Sequence, residues 1–164
     1  METTAAQKCP HKTVREYFDD TYRFTGSGTV LEITPTDKPE VFEVILDKTI
    51  FHPQGGGQPN DKGTMASETG VKFVISEAKH KDDAILHIGK FEEAEGAKFE
   101  VGNTVNLEID GEFRSINARI HSAGHLLDMA MMRAGRKDLK PGKGYHFQEG
   151  PYVEYVGVVA EPDR

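Results

Sequence analysis

The chain has 164 residues, a formal net charge of -7, 37% hydrophobic and 29% charged residues, and one cysteine. That size suits one ordinary domain or two small ones; the acidic balance argues against nonspecific nucleic-acid binding, and a lone Cys9 excludes an intrachain disulfide. No apolar run reaches the length of a membrane span, and residues 1–11 lack the apolar core of a signal peptide, so the expected location is the cytosol and no membrane partner is expected.

Taken in order, residues 1–12 read as a loose terminus. Thr29–Thr34, Val41–Leu46, Thr49–Phe51, Val71–Ile75, Ala84–Ile88 and Thr104–Ile109 are short, β-branched or alternating runs separated by turn residues, and each predicts a strand. Pro35–Pro39 reads as a turn, Phe91–Gly102 as an acidic loop, and Asp110-Gly111 as a turn. Six such strands predict a small barrel or sandwich before residue 111. A helix follows through Arg119–Met132, with Gly135 as its stop. Pro141–Gly144 predicts a further break, and Tyr152–Val156 with Gly157–Val159 predict terminal strand. No internal repeat or low-complexity segment is present.

Charge is unevenly spread: residues 1–110 carry 12 basic and 20 acidic side chains, residues 111–164 carry 8 and 7. Arg133, Arg136, Lys137, Lys140 and Lys143 lie within eleven residues, with Asp138 the single acid among them. Such a run suits a phosphate backbone; equally it is a solvated helix end whose cations the helix dipole favours.

Two stretches carry chemistry. In the first, Gly55, Gly56 and Gly57 lie between proline-containing arms, flanked by Gln54 and Gln58. Glycines permit positive φ and close backbone approach, and their amides can cradle an anion; the alternative is a tight turn at a barrel corner. In the second, His121 and His125 stand one helical turn apart, on the same face. Paired imidazoles at this spacing can hold a divalent metal, or can cap a core and bind nothing. Without Glu between them they are not the metalloprotease signature.

Together, Gly55-Gly56-Gly57-Gln58-Pro59-x-Asp61-x-Gly63 and, roughly sixty residues on, Arg119-x-His121-x-x-x-His125-Leu126-Leu127 resemble the editing region of alanyl-tRNA synthetase and its freestanding AlaX-type trans-editing relatives. Thr49-x-Phe51 and Asp110-x-x-x-Arg114 fit the pattern too, and the resemblance runs from about Val30 to Gly150.

The resemblance implies an α+β fold: an N-terminal β-barrel, residues 13–110, packed on an α/β editing domain that begins at 111–164 and is incomplete here. It implies hydrolysis of the ester on mischarged alanine-accepting tRNA, mainly seryl and for some members glycyl. Catalysis would fall to His121, His125 and Gln58, with His121 and His125 as zinc ligands. Gly55, Gly56, Gly57 and Gln58 would line the pocket for the aminoacylated adenosine, Thr49 would read a serine hydroxyl, and Arg133, Arg136, Lys137, Lys140 and Lys143 would meet the tRNA. The family completes its zinc site with a later Cys-x-x-x-His; no cysteine follows Cys9 here, so the zinc site is expected to be incomplete and the chain to be the N-terminal part of a longer protein. His146 is either a third ligand or a surface or pocket residue.

The ester is reactive already, so its hydrolysis needs a placed water and charge stabilisation more than a strong nucleophile. No Ser-His-Asp or Cys-His arrangement is legible. Two other readings stand beside editing: a tRNA-binding or degenerate editing fragment without catalysis, and an unrelated metal hydrolase of small esters.

Overall fold

The computed structural model describes residues 8–92 and 98–159; part of the predicted loose terminus and part of the predicted acidic loop lie outside them. The chain divides into two compact units, one reaching to Gln54 and resuming over Asn60–Gly111, the other made of Gly55–Pro59 and the residues from Glu112 on.

The first unit is a β-barrel. A short strand β1 (Val14–Arg15) pairs in parallel with β4 (Lys48–Thr49), and a single 3-10 turn, Glu16–Phe18, follows β1. The remaining strands are β2 (Thr25–Pro35), β3 (Phe42–Leu46), β5 (Gly63–Ser67), β6 (Lys72–Lys81), β7 (Ala84–Phe91) and β8 (Thr104–Ile109). They close in the order β2-β3-β7-β6-β5-β8, every pair antiparallel, with β8 returning to β2 through Thr25↔Glu108 to Thr29↔Thr104. Closure removes the free edges that an open sheet leaves for aggregation.

The alternation of residue types explains the closure. In β8, Val105, Leu107 and Ile109 are buried while Thr104, Asn106 and Glu108 face out. Those inward residues join Val30, Val44, Leu46, Phe51, Met65, Phe73, Ile75 and Ile85 in one cluster. Each fully buried apolar side chain of this size contributes about 1.5–3 kcal/mol. Register shifts between Val30 and Glu32 and between Ile75 and Glu77 mark bulges, which bend the long strands around the barrel.

Several expectations need correction. Of the predicted strand Thr49–Phe51, only Thr49 lies within β4; Ile50 and Phe51 follow it and are 0% exposed, so their apolar character marks burial in the barrel. Strand β5 was not expected, because Met65 is its one large apolar residue and no alternation shows. Strands β6 and β7 run longer than the apolar patches that predict them and meet at a tight turn in which Asp82 takes φ 53°.

The second unit holds a helix, a hairpin and the glycine segment. Helix α1 (Gly111–Arg133) begins eight residues before Arg119, and Asp110-Gly111 opens it. Asp110 occupies the position before the first helical residue, where aspartate is favoured, so the turn signal there was a helix start. Gly135 ends the helix with φ 82° and donates its N–H to the carbonyl of Met132, while the Arg136 N–H reaches Met131. The predicted break at Pro141–Gly144 lies inside β9 (Lys140–Tyr145), which pairs antiparallel with β10 (Tyr152–Val156). Among the described residues β9 pairs with β10 alone, and such an edge position tolerates proline. Gly157–Val159 is not strand. The described residues are thus mostly strand, with one α-helix, and no helix among them is long and apolar enough to cross a membrane.

Candidate functional site

Helix α1 stacks His121 and His125 as their spacing requires: ring centroids lie 5.0 Å apart at 27°. His146, directly after β9, stacks on the other side of His121 at 4.5 Å and 17°. Three near-parallel imidazoles therefore follow one another in the second unit. The His146 ring comes so close to the helix that a Cβ on Gly124 would stand 2.5 Å from its Cε1. The absence of a side chain at Gly124 makes room for that ring.

The glycine segment is tied to this stack. Gly55 and Gln58 exchange backbone hydrogen bonds of 3.1 and 2.9 Å, closing a tight turn. Within it Gly57 takes φ 80°, and a Cβ there would collide with the Gly144 carbonyl. The Gly57 carbonyl accepts the His146 N–H at 2.8 Å. Gln58, 4% exposed, places Oε1 2.9 Å from His121 Nδ1. With the amide oxygen accepting, His121 carries its proton on Nδ1, and the Nε2 lone pair is left available.

A cleft of about 130 Å³ opens here, lined among others by Gly56, His121, His125, Asp128, Gly144 and His146. Burial holds His121 below the ordinary imidazole range, and His146 and His125 beside it add to the effect. Burial likewise lowers His146, with His125 adding and Asp128 opposing. These two rings are thus neutral near pH 7, and neutral imidazole is the form that accepts a proton. Asp128 lies 4.0 Å from His125 Nδ1 and accepts a 2.6 Å hydrogen bond from the Tyr155 hydroxyl. That bond pushes the Tyr155 hydroxyl up to about 12.

Zinc takes three or four protein ligands converging on one point. His121 and His125 lie face to face, and among the described residues no group of three or more His, Cys, Asp or Glu converges to hold a metal.

Of the remaining sequence candidates, Gly56 and Lys143 line the cleft, and Gln58 meets it through His121. Arg133, Lys137, Lys140 and Lys143 are exposed, whereas Arg136 is half-buried and paired with Asp138 at 3.1 Å. Thr49 belongs to the barrel unit. It is 0% exposed and its hydroxyl donates to His87 Nε2 at 2.8 Å and accepts the Phe51 N–H at 3.1 Å. His87 completes the chain by donating Nδ1–H to the Val44 carbonyl at 3.0 Å. Sequence spacing gave no hint of that buried pair, nor of Asp128–Tyr155. Both join residues far apart in the chain.

The family model for class II (A) tRNA synthetases matches residues 21–113. The chain is 36% identical to the alanyl-tRNA editing protein AlaX-M of Pyrococcus horikoshii over 143 residues, covering 85% of this chain and 59% of that protein. It is 32% identical to AlaX-L of the same organism over 119 residues, 73% of this chain and 28% of that protein. The alanine–tRNA ligase of Neorickettsia sennetsu is 38% identical over 141 residues, 86% of this chain and 15% of the ligase. The chain therefore spans about three fifths or less of these relatives. A matched family model and relatives of both kinds carry one conclusion: the chain belongs to the class II (A) tRNA synthetase family, as an editing domain of the type shared by AlaX proteins and alanine–tRNA ligases.

Proposed function

We propose that this protein takes part in editing alanine-accepting tRNA, hydrolysing the ester of seryl- and glycyl-tRNA(Ala), with its second unit as the start of the α/β editing domain. The observation that carries the reading is the Gln58–His121 contact, because it fastens the glycine turn to the imidazole stack and fixes the tautomer of His121. The expected location of such a protein is the cytosol, where this substrate is made.

The chemistry follows from that tautomer. His121 Nε2 accepts a proton from a water as its oxygen adds to the ester carbonyl carbon. The bond from that carbon to the ribose oxygen then breaks, and the proton passes from His121 to the departing oxygen. Free amides of the glycine turn stabilise the oxyanion in between. Among the described residues no further His, Cys, Asp or Glu joins His121 and His125 in a converging group, and the step above uses the His121 imidazole alone. The exposed cations Arg133, Lys137, Lys140 and Lys143 contact tRNA phosphates, which makes binding salt-dependent.

Deacylation of seryl-, glycyl- and alanyl-tRNA(Ala) by the protein tests the reading. Faster release of serine and glycine than of alanine supports it, with His121→Ala slowing release about a hundredfold or more; equal inertness towards all three counts against it. The exposed Arg133, Lys137, Lys140 and Lys143 also support a second reading, a tRNA-binding module without catalysis. Salt-dependent tRNA binding with no turnover, even in added zinc, supports that one.

A further inference from the structure

Three aromatic rings of the second unit take no part in the chemistry above. Tyr145 ends β9 and faces Tyr152, the first residue of β10, directly across the ladder. Their rings are 5.4 Å apart at 16°, and Phe147 lies on the other side of Tyr145 at 4.4 Å and 15°. This makes a parallel pile in the order Phe147, Tyr145, Tyr152. The aromatic contacts of the barrel unit are different: among the described residues all are tilted or edge-on, at 52° to 84°. Rings in a core pack edge-on or offset-stacked, so exposure is what sets the hairpin rings apart. The hairpin rings fill no core: Tyr145 is 37% exposed and Tyr152 is 51% exposed.

An exposed parallel pile can be extended by any flat ring, and a nucleobase is the flat ring that a basic surface recruits. The surroundings have that charge. Residues 133–156 carry five Lys and Arg against three Asp and Glu, in a chain of net charge -7. Side chains alternate along a strand, and Gly144 and His146 line the cleft, so Tyr145 and its partner Tyr152 occupy the opposite face of the hairpin.

We propose that the pile is a stacking platform for unpaired bases at the single-stranded 3′ end of the tRNA, with an unpaired base on the outer face of Tyr152. The proposal rests on the editing reading for the identity of the RNA, but its binding test does not depend on hydrolysis.

Fluorescence anisotropy of the whole protein with a labelled, uncharged single-stranded RNA tetranucleotide ending in CCA gives the test. Tyr152→Ala weakens binding about tenfold, the worth of one base–ring stack, and Tyr152→Phe keeps affinity within about twofold. A tetranucleotide with abasic sugars binds the unaltered protein about tenfold more weakly and does not sense Tyr152→Ala. Lys143→Ala reduces the salt dependence, whereas Tyr152→Ala leaves it unchanged. Equal binding of Tyr152→Ala overturns the platform, as does indifference to the bases, or a Tyr152→Phe loss as large as that of alanine. So does a ring-dependent dimer in sedimentation without base-dependent binding. Circular dichroism of each variant excludes a folding defect as the cause of lost affinity. Hydrolysis of seryl-tRNA with unimpaired Tyr152→Ala binding removes the platform alone; base-dependent binding through Tyr152 without hydrolysis removes the editing reading and leaves the platform standing.

Discussion

The barrel and the helix–hairpin unit handle their apolar residues in opposite ways. In the barrel, Val30, Val44, Leu46, Phe51, Met65 and Phe73 are all 0% exposed. In α1 the buried residues are the polar Arg114 and Asn117, while Leu126, Leu127, Met129 and Met132 are 65%, 46%, 48% and 55% exposed. Hydrophobic burial scales with area removed from water, so cohesion is concentrated in the barrel. The imidazoles, the glycine turn and the cleft belong to the unit that has least of it. The lesson is a division of labour, with apolar burial concentrated in one part of the sequence and the candidate site in the other.

The largest effect that tests this division comes from the barrel core. Phe73→Ala is expected to cost about 3–5 kcal/mol, read as a lower urea midpoint. Acid gives the next largest. His87 is fully buried with its pKa lowered to about 4, burial being the main cause and the Val44 carbonyl a partial offset. The unfolded chain holds that imidazole near its ordinary 6.5, so the unfolded state binds the proton more readily. Stability is complete above pH 6.5 and declines as pH falls towards 4, on the order of 3 kcal/mol in all. Urea titrations at pH 7 and pH 5 measure it, and a flat response contradicts the buried neutral ring. A smaller cost, but one aimed at the site, is expected for Gly57→Ala: about 1–3 kcal/mol of strain at φ 80° and a collision with the Gly144 carbonyl. Deacylation should fall at least tenfold while the urea transition of the barrel stays where it was. The smallest effect is expected at Leu126→Gln, within about 0.5 kcal/mol in the same titration. A loss there comparable with that of Phe73→Ala breaks the comparison.

Legibility in the sequence follows the same division. Barrel strands with clean alternation, such as Thr104–Ile109, coincide with β8, because inward and outward positions differ in chemistry. Strand β5 escapes notice because a strand with one large apolar residue, Met65, is held by its two neighbours and not by its own pattern. In the second unit, the four-residue spacing correctly places His121 and His125 on one helix face. What it cannot supply is the third ring, His146, or the Gln58 amide that orients His121, since those contacts bridge 25 and 63 positions of chain. Pro141 and the glycines of β9 signal a break by their local preferences, and the ladder to β10 overrides them.

The placement of Gly55–Pro59 has a consequence for how this protein is made and dissected. The segment is translated well before His121 yet belongs to the unit that His121 helps to form. On the ribosome the turn must wait for more than sixty further residues before its histidine partner is synthesised. Cutting the chain at residue 111 would leave the imidazole stack without the glutamine that orients it. The second unit is therefore not one continuous stretch of sequence: recombination at residue 111 would part Gln58 from His121 and break their bond.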